Sequence, residues 1–185
     1  YKVREYLIKN GYDGIHSGNT YVAFYSNQIK NINNSNPTTS DDIRYLKKSA
    51  TTLKTEKDNL GRSLSKQQQE YFKNSKVRDE NENLLTVYHE TDTKFTVFNY
   101  DYLGKNGTAN GKGFYLADDI NVAKSYSNGK NLIEAYVDIQ KPLSIGKTTI
   151  TENDYIKFLE AVNDKTNGGL FTDYGDGEKI QKNSK

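Results

Sequence analysis

The chain has 185 residues, a length that suits one domain or one domain and a fragment. Its 26 basic and 24 acidic residues leave a net charge of +2, which argues against a dedicated nucleic-acid binder with a concentrated basic face. The absence of cysteine excludes disulfides, thiolate nucleophiles and cysteine-held zinc; the two distant histidines form no metal-ligand pattern, and no run approaches the roughly 18 apolar residues that cross a bilayer.

In chain order, residues 1–9 predict a short helix, with Val3, Tyr6 and Leu7 on one face and Gly11 as its stop. Tyr21 to Tyr25 predict a strand bounded by Gly18-Asn19 and Ser26-Asn27, and His16 reads as a loop residue. Residues 33–66 are polar and turn-rich and are expected to form a linker. Ser65 and Gln68 have the spacing of a capping box and predict a helix over 65–75. A strand is expected over 84–91, LLTVYHET, and a second extended segment over 94–103. A loop with Gly104, Gly107, Gly111 and Gly113 follows, then a short strand, FYLA, at 114–117. Asp118 or Asp119 caps a helix running to 127, and residues 131–139 alternate as a strand that Lys141-Pro142 ends. Thr151 caps an amphipathic helix over 151–164 whose stripe of Tyr155, Phe158, Leu159 and Val162 faces a core. There is no regular βαβ alternation and no fixed-period repeat, so the pattern predicts an α+β fold. The chain opens on Tyr1 and its last segment has no closing element, so both ends read as cut from something longer.

Two segments carry chemistry. One is Tyr88-His89-Glu90-Thr91, at the end of an apolar strand; the other is NGKGFYLADDINVAKSY, residues 110–126. Gly111 and Gly113 let backbone come close to a ligand or to another strand. Tyr115 projects from a short strand, and the helix opened by Asp118-Asp119 returns Tyr126. Two tyrosines held this way can flank a planar ring and keep their hydroxyls for hydrogen bonds. A histidine on a neighbouring strand can bond a ribose hydroxyl through either ring nitrogen. The pattern fits a flat heteroaromatic group carrying a sugar. Taken alone, His89 reads as a strand-end histidine satisfied by backbone, and Tyr115 and Tyr126 as packing residues. A Walker-type phosphate loop is excluded, because Lys112 is followed by Gly113 and Phe114.

GKGFYLADDINVAKSY resembles the signature of the ADP-ribosyltransferase fold of the diphtheria-toxin and poly(ADP-ribose) polymerase type, G-K-G-[IF]-Y-F-A-D followed by a helix with a second tyrosine. YHET resembles that family's Y-H-G-[ST] on its first core strand. FTVFNYDY, IEAYVDIQKPLSI and the lead-in LSKQQQEYFKNSKVRDENENLL are similar to the phage subgroup found in polyvalent and capsid-associated proteins. The resemblance implies an ADP-ribosyltransferase-like split β-sheet core with peripheral helices, and NAD as substrate in a cleft between two small sheets. It implies transfer to a protein or nucleic-acid target, with no membrane and no metal, in a virion-associated or host-cytoplasmic setting. Carried over by residue, His89 and Tyr115 would be catalytic, and His89, Glu90, Thr91, Gly113, Tyr115 and Tyr126 would contact NAD. His89 would hold the ribose of the nicotinamide half, Tyr115 would line the nicotinamide pocket, and Tyr126 would stack on the ring.

The N-terminal GYDGI…TYVAFYSNQIKNINNSNPTTSDDIRY resembles the closing strands and exit linker of the same family. Residues 1–32 would then be the C-terminal strand piece of a transferase-like domain, 33–66 a polar linker, and 67–185 the N-terminal, NAD-binding part of such a domain. Alternatively, 1–32 completes 67–185 as a circular permutant, for which a connection of about 35 residues is long enough. Two positions depart from the pattern. Thr20 stands where the family has a catalytic glutamate, and it supplies no negative charge. Glu90 stands where the family has glycine. Three readings stay open: an NAD-dependent ADP-ribosyltransferase of phage or prophage type, a degenerate non-catalytic module of a virion or prophage protein, and an NAD glycohydrolase with water as acceptor. Glu90 standing in for the lost carboxylate is the least favoured reading on sequence alone.

Overall fold

The computed structural model describes residues 2–44, 56–103, 111–126, 130–146 and 150–165. The chain begins with α1 (Lys2–Lys9), whose Val3 and Leu7 lie one turn apart and are both buried. Gly11, at φ +86°, ends it. A tight hairpin then joins β1 (Gly14–Ser17) to β2 (Thr20–Ala23), with Ser17 opposite Thr20. Its two-residue turn is Gly18-Asn19, and Gly18 takes the positive φ, +55°, that the first position of such a turn demands. His16 therefore lies in a strand, not in a loop as the sequence suggested. Its ring stacks on its cross-strand partner Tyr21 with centroids 4.3 Å apart. The strand escaped notice because four residues are too few to display a period.

Strands β3 (Ile29–Asn31), β4 (Val87–Thr91), β5 (Phe114–Ala117), β6 (Asn131–Val137) and β7 (Pro142–Ile145) complete a seven-stranded mixed sheet of order β3-β6-β4-β5-β2-β1-β7. The three strands from residues 14–31 interleave with the four from 87–145. β3 pairs β6, β2 pairs β5, and β1 runs parallel to β7. β6 ends before Lys141-Pro142, and Pro142 begins the edge strand β7, where a residue without an N–H is tolerated.

The helices follow their caps. α2 (Lys66–Tyr71) starts at Ser65, whose hydroxyl accepts the Gln68 N–H while the Gln68 side chain accepts the Ser65 N–H. It stops before 75 because Phe72 turns into the core against Tyr136. α3 (Ile120–Ser125) is capped by Asp119, which accepts the Asn121 N–H. α4 (Glu152–Lys165) is capped by Thr151, which accepts the Asp154 N–H. Tyr155 of its stripe is buried and Phe158 packs on the same cluster, whereas Leu159 and Val162 lie outside the described side chains. Residues 94–103 do not form the expected extended segment. They make a single bridge, Val97 to Asp42, and close in a 3-10 turn at Tyr100–Tyr102. Gly104, Gly107 and residue 127 lie outside the described residues.

The described parts of 33–66 are packed rather than the free linker their composition suggested. Ile43, Asp58 and Leu64 are buried. Asp58 accepts a hydrogen bond from Arg62 at 2.6 Å and another from the Tyr136 hydroxyl at 2.8 Å. Arg62 also reaches Glu134 on β6 at 2.9 Å. Burial disfavours the Asp58 carboxylate, but the bonds from Arg62 and Tyr136 outweigh it and hold its carboxyl below the ordinary range. These polar side chains pin the segment to the sheet, which a hydropathy pattern cannot reveal. Residues 45–55 of the expected linker lie outside the described residues.

Strand alternation divides the side chains between two faces. Tyr21, Ala23, Ile29, Val87, Phe114, Leu116, Ala135 and Val137 form one continuous core with Ile43, Val77, Leu85 and Phe98. The opposite face carries two separate clusters. Ile15, Val22 and Leu143 pack with Val3 and Leu7 of α1 and Tyr155 of α4. Tyr136 packs with Leu64, Phe72 and Leu84. Between these two clusters runs the seam of β4 and β5.

Candidate functional site

β4 and β5 pair at Tyr88–Ala117 alone. The next pair in register would be Glu90 with Tyr115, but the strands have parted there. β4 meanwhile stays paired with β6 through Thr91. The Tyr115 carbonyl is met instead by the ring of His89, with Nδ1 at 2.8 Å. A carbonyl can only accept, so Nδ1 carries the hydrogen. The ring is wedged edge-on between Phe98, at 5.0 Å, and Phe95, at 5.9 Å. Burial pushes its pKa below the usual histidine value, with the Tyr115 carbonyl opposing. The neutral ring therefore keeps Nε2 as a hydrogen-bond acceptor, and only this nitrogen is left to meet a ligand.

Tyr115 projects to the opposite face, where it packs beside Val22, and its hydroxyl donates to the Gly111 carbonyl. Gly113 is required by close approach. A Cβ there would lie 2.2 Å from Val22 Cγ1 and 3.0 Å from the Ala23 carbonyl. The close neighbour of this glycine is thus β2.

Register and alternation fix the rows across the seam. Tyr88, Ala117 and Thr20 form one row, and Glu90, Tyr115 and Val22 lie on the same face one row further. Glu90 and Tyr115 are the two lips of the gap. Tyr126 ends α3, which packs against β4 and β5, and is 57% exposed. Thr91 sits at the far end of β4 with its hydroxyl accepting the Thr93 N–H in a turn. The fold therefore gathers His89, Glu90, Gly113 and Tyr115 at the seam, sets Tyr126 on the adjoining helix, and leaves Thr91 in a local turn.

An open depression of about 460 Å³ lies where β5 ends, lined by Asn19, Leu85, Tyr88, Asp118, Asp119 and Ile120. Burial raises the Asp118 carboxyl, with Asn19 opposing. Burial also raises the Tyr88 phenol, helped by Glu134. Sequence reasoning named the two aspartates as caps and missed the depression. Its lining comes from segments far apart in the chain, and Asn19 reaches it only because Thr20 pairs with Ala117. Among the described residues no group of three His, Cys, Asp or Glu could hold a metal ion, and no helix is long and apolar enough to cross a membrane.

A seven-stranded mixed sheet with a few helices is an α+β fold consistent with an ADP-ribosyltransferase domain. Residues 79–184, more than half of the chain, match the family described as ADP-ribosyltransferase in polyvalent proteins, and the chain belongs to that family. The matched range holds β4 to β7; β1, β2 and β3 precede it. No curated protein and no solved structure matches the chain significantly.

Proposed function

We propose that this chain binds NAD at the β4–β5 seam and transfers its ADP-ribosyl group to a protein or nucleic-acid acceptor, as a domain of a phage- or prophage-associated polyvalent protein. In this reading residues 14–31 and 87–145 act as one domain, because both sides of the site need β2 and β5 together. The observation that supports it best is the His89–Tyr115 hydrogen bond, which ties the ring across the seam and leaves Nε2 as its acceptor nitrogen. Nε2 accepts from a ribose hydroxyl, Tyr115 lines the nicotinamide side, and Tyr126 stacks on the ring. Thr91 contributes backbone rather than its hydroxyl. An exposed Tyr126 suits a stacking residue whose partner is the ligand. Thr20, neutral where a carboxylate would serve, supports a second reading: a non-catalytic NAD-binding or interaction module.

The test is calorimetric titration of the full chain with NAD, beside His89→Ala. Saturable binding that the variant loses supports the site. A wild-type chain that binds no NAD at millimolar concentration refutes it and leaves the interaction module.

A further inference from the structure

We propose that Arg4, Tyr25 and Tyr100 form the subsite that takes the ADP half of NAD, with the diphosphate on the guanidinium and the adenine against the tyrosine rings. The inference rests on the NAD reading above and adds a second point of attachment, built from α1, the end of β2 and the 3-10 turn.

Arg4 is a cation short of acceptors. Its guanidinium carbon lies 5.5 Å from the centre of the Tyr25 ring, 5.4 Å from that of Tyr100 and 5.9 Å from that of Phe24. Nη2 donates to the Phe24 carbonyl, whereas Nε is buried and has no acceptor. Among the described residues no carboxylate pairs with Arg4. Asp41, reached through Ser26, accepts the hydroxyl of that residue instead. A guanidinium with rings on its faces and no ion pair suits a phosphate, which its planar fork can meet with charge-assisted hydrogen bonds. Tyr25 and Tyr100 are 38% and 40% exposed, so each keeps ring surface on which a flat group can stack. The Ser26 N–H donates to the Tyr100 hydroxyl at 3.3 Å and steadies that ring.

Register puts this cluster at the open end of the seam. Ala23 pairs with Phe114, so Phe24 and Tyr25 leave β2 beside the start of β5. β4 and β5 are joined at the other end, by Tyr88 and Ala117. α1 reaches the open end as well, since a Cβ on Gly111 would lie 3.5 Å from Val3 Cγ1. A run of ring contacts leads there from His89: Phe98 at 5.0 Å, Phe98 to Phe114 at 5.4 Å, and Phe114 to Tyr100 at 5.1 Å. A dinucleotide whose ribose is held by His89 meets the joined strands in one direction and Arg4 in the other. One cation and two rings suit a single nucleotide rather than a strand of nucleic acid, which needs several cations, and the net charge of +2 agrees. Arg4 and Tyr25 precede the matched range 79–184, so the family match does not reach them.

The experiment is calorimetric titration of the full chain with NAD, with ADP and with a single-stranded oligonucleotide, for wild type, Arg4→Met, Tyr25→Leu and His89→Ala. Wild type binds ADP saturably, and ADP displaces NAD. Arg4→Met keeps the apolar stem and raises the Kd of both ligands about tenfold or more, the effect of losing a hydrogen bond to a charged group. Tyr25→Leu, at an exposed position, raises them about fivefold or more. His89→Ala loses NAD but keeps ADP. Four outcomes overturn the proposal: a folded Arg4→Met with the wild-type Kd for ADP, a Tyr25→Leu with that Kd, ADP that does not displace NAD, or an oligonucleotide bound in place of ADP. If Arg4→Met unfolds, Tyr25→Leu decides. In each of these cases NAD binding that depends on His89 leaves the seam site standing. A wild-type chain that binds no NAD overturns both readings.

Discussion

The imidazole of His89 donates from Nδ1 to the main-chain carbonyl of Tyr115 across 2.8 Å, and so does with a side chain what the parted strands no longer do with backbone. Replacing it with alanine leaves a carbonyl without its donor and opens a void beside Phe95 and Phe98. The expected cost in urea unfolding is about 1–3 kcal/mol from the orphaned carbonyl, together with loss of NAD binding. A variant that keeps wild-type stability would show that the bridge carries no weight.

The same ring sets an acid dependence. Its folded pKa lies below the free value of 6.5, because burial disfavours the charged form. Between those two values the unfolded chain binds more protons than the folded one, so stability falls as pH drops from above 6.5 through the folded pKa. Unfolding followed from pH 7.5 downward will show this slope in the wild type. The slope will be missing from His89→Phe between pH 7 and pH 5, before the carboxylates titrate.

Lys30 predicts the opposite limb. It is buried in β3, donates to the Ser40 carbonyl, and lies over the Tyr71 ring at 5.8 Å. Burial pushes its pKa down to about 8, with Asp41 and Asp42 opposing. Above pH 8 the folded chain sheds a proton that the unfolded chain keeps, so stability rises toward pH 10. Burial pushes Tyr21 and Tyr71 up to about 12, with Asp118 opposing ionisation of the first and Asp138 and Asp41 that of the second. Above pH 10 their unfolded counterparts ionise first and stability falls again. Lys30→Met should remove the rise and keep the fall; a rise that persists would place its origin elsewhere.

Gly113 gives a steric prediction. Gly113→Ala drives a methyl into the fully buried Val22 side chain and against the Ala23 carbonyl. Overpacking of this kind costs about 1–3 kcal/mol. Val22→Ala removes the nearer clash, so the double variant should be more stable than the sum of the two single losses predicts. Strict additivity in a double-mutant cycle would contradict the contact.

Asp58 anchors the segment at 56–66 with no side-chain exposure, in an ion pair with Arg62. Asp58→Ala leaves the Tyr136 hydroxyl without its acceptor and the Arg62 guanidinium with Glu134 and Thr86 alone, at a cost of about 1–3 kcal/mol. Because its folded carboxyl titrates below 3.8, the stability it contributes is present above pH 4 and is lost as pH falls through the folded value. Acid unfolding of Asp58→Asn should be correspondingly flatter below pH 4.

What could be read from the chain was local. The capping box at Ser65, the cap at Thr151, the Gly113-Phe114-Tyr115 entry to β5 and the His89 motif each depend on residues a few positions apart. Where a reading failed, a distant partner decided the matter. His16 became a strand residue because Tyr21 and Ser144 pair with it, and the strand that begins at Pro142 went unread because its partner, Gly14–Ser17, is far away in the chain. Asp13 accepts the N–H groups of Gln140 and Lys141, 127 and 128 positions away.

By itself, then, the sequence determined the α+β class and the helix caps, since periodicity, turn residues and capping act within a few residues of their origin. Tertiary structure alone decided that β2 lies against β5, that β4 and β5 part after Tyr88, which nitrogen of His89 meets the Tyr115 carbonyl, and that Glu90 and Tyr115 share one row across the gap. Those facts depend on strand order and register between segments up to about a hundred residues apart. The hydrogen bonds that set them are between backbone groups every residue possesses, so no residue type announces them.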